Sequence, residues 1–342
     1  MKHFVTGLFY LFIGSPFLGA TFTVNEPTSS ATVWEYQINE SMLGPDYLSA
    51  VRELMTAWER QQGINLAPGT KGKAGLKVYT NSGPGLATPK ALVRAVIELL
   101  IERGWKRDRI FILDLNGSLL RKAGFLPKLS EGGSDFEGSP VYVLQSEQYF
   151  DEQWFYDSPL PDLRGRLLSN THTPSPLEGE DQERRSFLPI PLLFDADIWI
   201  NLPMVTDHPA LGVNGALANA TLWNVSNQRR FLKSAANAPV ATAEIAAIPE
   251  LRRGWTFTLM TLERYQYVGG PNFYSLYTNS EPLLWLSSDP VALDNLMYAR
   301  INSHRKAAGF EPIEPTPIVF YYCERLHIGT SQEILLKQVP IP

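Results

Sequence analysis

An α/β fold, a mostly parallel sheet with flanking helices and long loop insertions, is what this sequence predicts, on three observations. A strand, a glycine-rich loop, a helix with a start signal and a second strand follow one another within residues 76–115, which is a βαβ unit. Apolar or β-branched runs then alternate with helical periodicity over most of the remaining chain. The length of 342 residues, with 44% hydrophobic and 19% charged side chains, is enough to bury a sizeable core. There is no internal repeat, coiled coil or low-complexity tract.

Taken in order, the chain opens with Lys2 and His3, an apolar run from Phe4 to Leu18, and the small pair Gly19-Ala20. That layout reads as a secretory signal peptide, residues 1–20, cleaved after Ala20. Gly14, Ser15 and Pro16 interrupt the run, so it falls short of a span of roughly 20 apolar residues. A buried N-terminal strand or an uncleaved anchor is the alternative. The mature protein is then expected to be exported, periplasmic or extracellular, with no later membrane span. Residues 21–75 form an N-terminal extension with one amphipathic helix, Tyr47 to Gln61, carrying Leu48, Val51, Leu54, Met55 and Trp58. The α/β domain covers 76–342.

Within it, Leu76–Tyr79 reads as a strand. Thr88 is placed to cap a helix that has Pro89 at its first position and Leu92, Val93, Val96, Leu99 and Leu100 on one face, ending at Gly104. Arg109–Leu115 is the next strand. Residues 131–140 and 171–185, rich in Gly, Ser, Pro and charge, read as exposed loops around a short strand at Val141–Gln145. Asp197–Leu202 is a strand closed by Pro203, and Gly215–Phe231 reads as one helix. Strands are expected at Thr256–Leu262, Leu283–Leu286 and Ile318–Tyr322, the last two flanking a helix from Pro290 to about Ala308 capped by Asp289.

Composition narrows the function. A formal charge of −5, from 30 Lys+Arg against 35 Asp+Glu, leaves no basic footprint for nucleic acid. Cys323 is the only cysteine, so an intrachain disulfide, an iron–sulfur cluster and a cysteine-based zinc site are all excluded. No GxSxG elbow, HExxH pair or Walker loop occurs.

Three segments can carry chemistry. The loop Asn81-Ser82-Gly83-Pro84-Gly85 ahead of Thr88 has the layout of an anion cradle, because glycines admit close approach and a helix N-terminus favours negative charge. A plain structural turn is the competing reading. The segment 203–219 leaves a strand end where ligands of open α/β sheets sit. In it Asp207 and His208 can act as an acid–base pair or as metal ligands, with Asp114, Asp195, Glu263, His304 and His327 as candidate partners, or His208 can simply make structural hydrogen bonds. Third, Asp289 reads first as a helix cap, and Asp294 either points inward or is a solvent-facing acid of the first turns. The aromatics around Gly269-Gly270-Pro271 can wall a pocket or pack a core.

In this order the segments resemble the domain-of-unknown-function 362 family over about Leu76 to Gly309. The resemblance rests on TPKALVRAVIELLIERGW (88–105), ADIWINLPMVTDHPALGVNGALAN (196–219), VGGPNF (268–273) and SSDPVALDNL (287–296). It implies a common α/β domain of unestablished activity, some relatives of which carry ferredoxin-like cysteines that this chain lacks. Thr206 and Ala218 stand where relatives have lysines, so two cationic side chains are gone. What matches is His208, Gly215, Asn219, Asp289 and Asp294. The expectation is thus a pocket for a small anionic or polar ligand at the carboxyl ends of the strands. His208 and Asp294 would be its catalytic groups, and Asn81, Gly83, Gly85, Thr88, Gly215, Asn219 and Asp289 its ligand-binding ones. No metal or iron–sulfur cofactor is assigned. A noncatalytic binding or surface-interaction protein on the same scaffold is the alternative.

Overall fold

The computed structural model describes residues 30–41, 44–146, 148–158, 184–232 and 235–340. The expected signal peptide, and the expected loop 171–185 up to residue 183, lie outside them. The centre is a nine-stranded sheet made of β1 (Ala31–Gln37), β2 (Ala74–Val78), β3 (Ile110–Asp114), β4 (Asp135–Phe136), β5 (Ser139–Val143), β6 (Ile198–Leu202), β7 (Trp255–Thr261), β8 (Leu283–Ser287) and β9 (Ile334–Gln338). Their spatial order is β9-β1-β8-β7-β6-β2-β3-β5-β4. All run the same way except β8, antiparallel to both neighbours, and the edge strand β4.

Helices cover both faces. They are α1 (Tyr47–Gln62), α2 (Lys90–Glu102), α3 (Gly117–Lys122), α4 (Ala216–Ala220), α5 (Arg229–Leu232), α6 (Asn237–Ala246), α7 (Pro249–Gly254), α8 (Pro290–Ala307) and α9 (Ile318–Arg325). Alternate side chains of a strand point to opposite faces, so Leu76, Val78, Ile112, Ile200 and Leu202 meet α1 and α2. Phe111, Leu113 and Trp199 meet the layer containing α4 and α6, while Met260 and Trp285 meet α8. The α/β class read from the sequence is therefore what the chain forms. The segment ahead of Leu76 supplies β1 and α1 to the same sheet and core.

Strand order reverses between β2 and β6. From β2 the chain steps outward to β3 and β5, then returns to the other side of β2 as β6 and continues to β7. The loops after β2 and β6 consequently leave adjacent strand ends toward opposite faces, one to α2 and the other to α4. Such a divergence opens the crevice at which open α/β sheets bind ligands.

Three local expectations are corrected. The single helix over 215–231 is broken into α4, a short 3₁₀ turn at Leu222–Asn224, and α5. Polar side chains divert the backbone there: Thr221 Oγ1 donates to Leu217 O (2.7 Å), Asn224 Nδ2 donates to Ala220 O (2.8 Å), and Asn227 takes φ +53°. Ile318–Tyr322 is not a strand but the first part of α9, which follows Pro317 and buries Val319, Phe320 and Cys323 against Leu217, Ala243, Ala246 and Val291. Packing on one face overrides the β-branched and aromatic preference. Finally, Thr88 does not cap α2, whose first turn has no side-chain cap. Its Oγ1 accepts from Tyr79 N (2.8 Å) and donates to Leu202 O (2.7 Å), tying β2 to β6.

Candidate functional site

Beneath the crevice lies a buried polar row that strand register creates. Ser287 of β8 pairs with Thr258 of β7, Thr258 with Asn201 of β6, and Asn201 with Lys77 of β2, so all four point to the same face. Each is at most 1% exposed. Lys77 Nζ donates to Asp114 Oδ1 (2.7 Å), Asn219 Oδ1 (2.9 Å) and Val78 O (2.7 Å), which uses its three protons. Asn219, from α4, donates to Asn201 Oδ1 (2.8 Å), and Asn201 donates to Ala216 O (2.9 Å). Asp114 also accepts from Thr80 N (2.8 Å), Thr80 Oγ1 (2.6 Å) and Leu115 N (2.7 Å). Burial pulls the Lys77 pKa below the usual lysine range, against the opposing pull of Asp114.

Above the row the two diverging loops are stitched together. Tyr79 OH shares a hydrogen bond with Ser82 Oγ (2.8 Å) and accepts from Asn214 Nδ2 (3.0 Å), and Trp223 Nε1 donates to Asn214 Oδ1 (2.6 Å). Ser82 Oγ donates to Pro271 O (2.5 Å), so the VGGPNF segment forms a roof. A methyl group on Gly85 would overlap the Phe273 ring, which explains a glycine there. Gly83, at φ +84°, turns the loop. Asp207 holds the roof through Gly270 N (2.7 Å), Gly269 N (3.1 Å) and Arg305 Nη1 (3.3 Å). The carboxylate of the Asp207-His208 pair is thus an anchor for the roof.

The proposed site residues fall into separate groups. Asn81, Gly83, Gly85 and Thr88 lie in the segment between β2 and α2, beside the point where strand order reverses, and Asn219 lies in the row beneath it. Asp294 is inward-facing, and it caps α4: its oxygens accept from Ala216 N (2.6 Å) and Leu217 N (3.0 Å), and Gly215 is small because a Cβ would strike that carboxylate. Burial pushes its pKa up to about 7 against those two amide donors. Asp289 caps α8 through Ala292 N (2.9 Å) and accepts from Thr330 N (2.8 Å), with burial pushing it up to about 6. Because β8 is antiparallel, Asp289 lies toward the amino ends of the parallel strands, away from the crevice.

His208 sits in a hairpin, Thr206–His208 with Gly212–Asn214, where its Nδ1 accepts from Ala210 N (3.1 Å) and burial pulls its pKa down to about 4. A neutral ring that accepts at Nδ1 carries its proton on Nε2, so His208 offers a donor. Among the described residues no hydrogen bond joins His208 to Asp294, and no group of three His, Cys, Asp or Glu is arranged to hold a metal ion. Thr206 and Ala218, where the resemblance would place lysines, are buried, yet a cation, Lys77, stands beside Asn219.

Lys77 belongs to none of the three segments singled out by motif. Its signal was a lone charge at the centre of an apolar parallel strand, Gly75-Leu76-Lys77-Val78-Tyr79, where burial requires a partner. No family model, curated protein or solved structure matches the chain.

Proposed function

We propose that this chain is an exported, diverged relative of the domain-of-unknown-function 362 family that holds a small polar or anionic ligand in the crevice between the loops after β2 and β6. The observation that carries the reading is the position of the Lys77–Asp114–Asn219 network directly under the point where strand order reverses. The uncapped first turn of α2 adds backbone donors beside this point. Kinship is supported by the order of the four motif segments.

The test is a thermal-shift panel of inorganic phosphate, sugar phosphates, dicarboxylates and nucleotides on the mature protein. At least one compound is expected to raise Tm, and Asn81→Asp, which places a negative charge in the half-exposed loop, is expected to weaken it at least tenfold. A panel in which Asn81→Asp weakens no compound's shift, or in which no compound shifts Tm, would falsify the reading.

A noncatalytic binding protein is the second reading. It is favoured by the saturation of Asp289, Asp294 and Lys77 with internal hydrogen bonds and by the Phe273 ring seated on Gly85. Turnover of whichever compound binds separates it from an enzyme. Export is supported by the Lys2-His3 start and the Phe4–Leu18 run. Among the described residues no helix is long and apolar enough to cross a membrane. N-terminal sequencing of the secreted protein is expected to begin at Thr21, and an intact Met1 there would contradict cleavage.

A further inference from the structure

We propose a second ligand site, built from other residues than the crevice, in which the guanidinium of Arg230 binds a small oxyanion, a carboxylate or phosphate group. Arg230 lies on α5 and is 6% exposed. Its Nε (3.2 Å) and Nη2 (2.9 Å) both donate to Ser186 Oγ, while Nη1 has no partner among the described residues. A guanidinium carries five N–H donors in a flat fork. Ser186 occupies the Nε/Nη2 edge, so the Nη1/Nη2 edge remains, and that edge matches two oxygens of one oxyanion.

The charge of Arg230 also lacks an ion-pair partner among the described residues. Asp157, which acts on it electrostatically, lies 3.6 Å from Arg184, and the hydroxyl of nearby Tyr156 bonds Glu244. The Phe231 ring, 4.3 Å from the guanidinium carbon, closes one face. A buried cation with no counterion is costly, and an oxyanion on the free edge supplies both the charge and the missing hydrogen bonds. Burial accordingly pulls the Arg230 pKa down to about 10.

A second, independent observation points to the same layer. Asn224 Oδ1 and Thr242 Oγ1 are also buried without partners. Thr242 is on α6, which packs against both α5 and the 222–224 turn. These orphaned groups lie on elements of the layer that packs on α5.

Crystals of the full mature chain soaked in selenate, a heavy tetrahedral analogue of phosphate, are expected to show anomalous density within hydrogen-bond distance of Arg230 Nη1. In solution at fixed ionic strength, inorganic phosphate or acetate is expected to raise Tm saturably, by about 4 °C. Which of the two acts distinguishes a phosphate from a carboxylate ligand. Arg230→Met is expected to abolish the shift, and Ser186→Ala, which keeps the guanidinium, to weaken it. Asn81→Asp is expected to leave it intact, so failure here and failure of the crevice are separable. Only water at Nη1 with no anion-dependent shift overturns the proposal, as does a full shift retained in Arg230→Met. If that variant does not fold, the selenate density decides.

Discussion

Replacing Lys77 by methionine is expected to lower the unfolding free energy by about 3–5 kcal/mol, because removing one partner of a buried ion pair leaves the other charge uncompensated. Methionine nearly matches the volume, so little of this loss comes from a cavity. Three acceptors lose their donor together: Asp114 Oδ1, Asn219 Oδ1 and Val78 O. The loss then spreads along the row, since Asn219 is also what orients Asn201. In Tm the effect is about 4–7 °C for a chain of this size. Lys77→Met combined with Asp114→Asn is expected to recover part of the loss, because no uncompensated carboxylate remains while Thr80 still finds an acceptor. Urea unfolding of the two variants at pH 7 reads this directly. A single-variant cost below 1 kcal/mol, or a double variant weaker than the single, would show that the pair does not hold this layer together.

Asp294→Asn is expected to change how stability depends on pH. The folded carboxyl keeps its proton up to about pH 7, whereas the ordinary value is 3.8. A group raised in the fold contributes stability that is fully present below its unfolded pKa and lost as pH rises through the folded one. The wild-type protein therefore gains from Asp294 near pH 4 and loses that gain by pH 8, a difference of about 4 kcal/mol. Asparagine does not titrate, so the gap between wild type and variant should be widest at pH 4.5 and narrow steadily toward pH 8. His208 works in the opposite direction. Its folded pKa of about 4 lies below the ordinary 6.5, so its contribution is present above 6.5 and lost as pH falls through 4. In the wild type the two trends offset each other between about pH 4 and 6.5, which is why the comparison with the variant is needed. Urea midpoints at pH 4.5, 6 and 8 provide the check, and a gap independent of pH would place the Asp294 proton elsewhere.

Much of the fold was legible because its signals are local. The apolar runs at β2, β3, β6, β7 and β8, and the periodic faces of α1, α2 and α8, each lie within one short stretch of chain. Two errors were also local in origin. Thr221 and Asn224 bend the backbone through their own side chains, a competition that apolar spacing does not register. Ile318–Tyr322 carries strand-like residue types but is a helix, because Val319, Phe320 and Cys323 have one apolar surface to meet. The Asp289 cap was legible for the same reason as the helices, since cap and first turn are adjacent.

The candidate site was legible only in pieces. Glycines at 83 and 85, Asn219 and the two aspartates stood out by type and position. Their grouping did not, since it depends on which strands become neighbours and in what register. The sequence by itself determined the α/β class, the strand–loop–helix unit at 76–115, and a single cysteine, which leaves no intrachain disulfide. Only the tertiary structure decided that Lys77, Asn201, Thr258 and Ser287 align across four strands, that Asp294 serves α4, and that Asp289 faces the other end of the sheet. The physical reason is that a buried polar group must find its partner in space, and its partners here come from separate segments of the chain, 142 residues apart for Lys77 and Asn219.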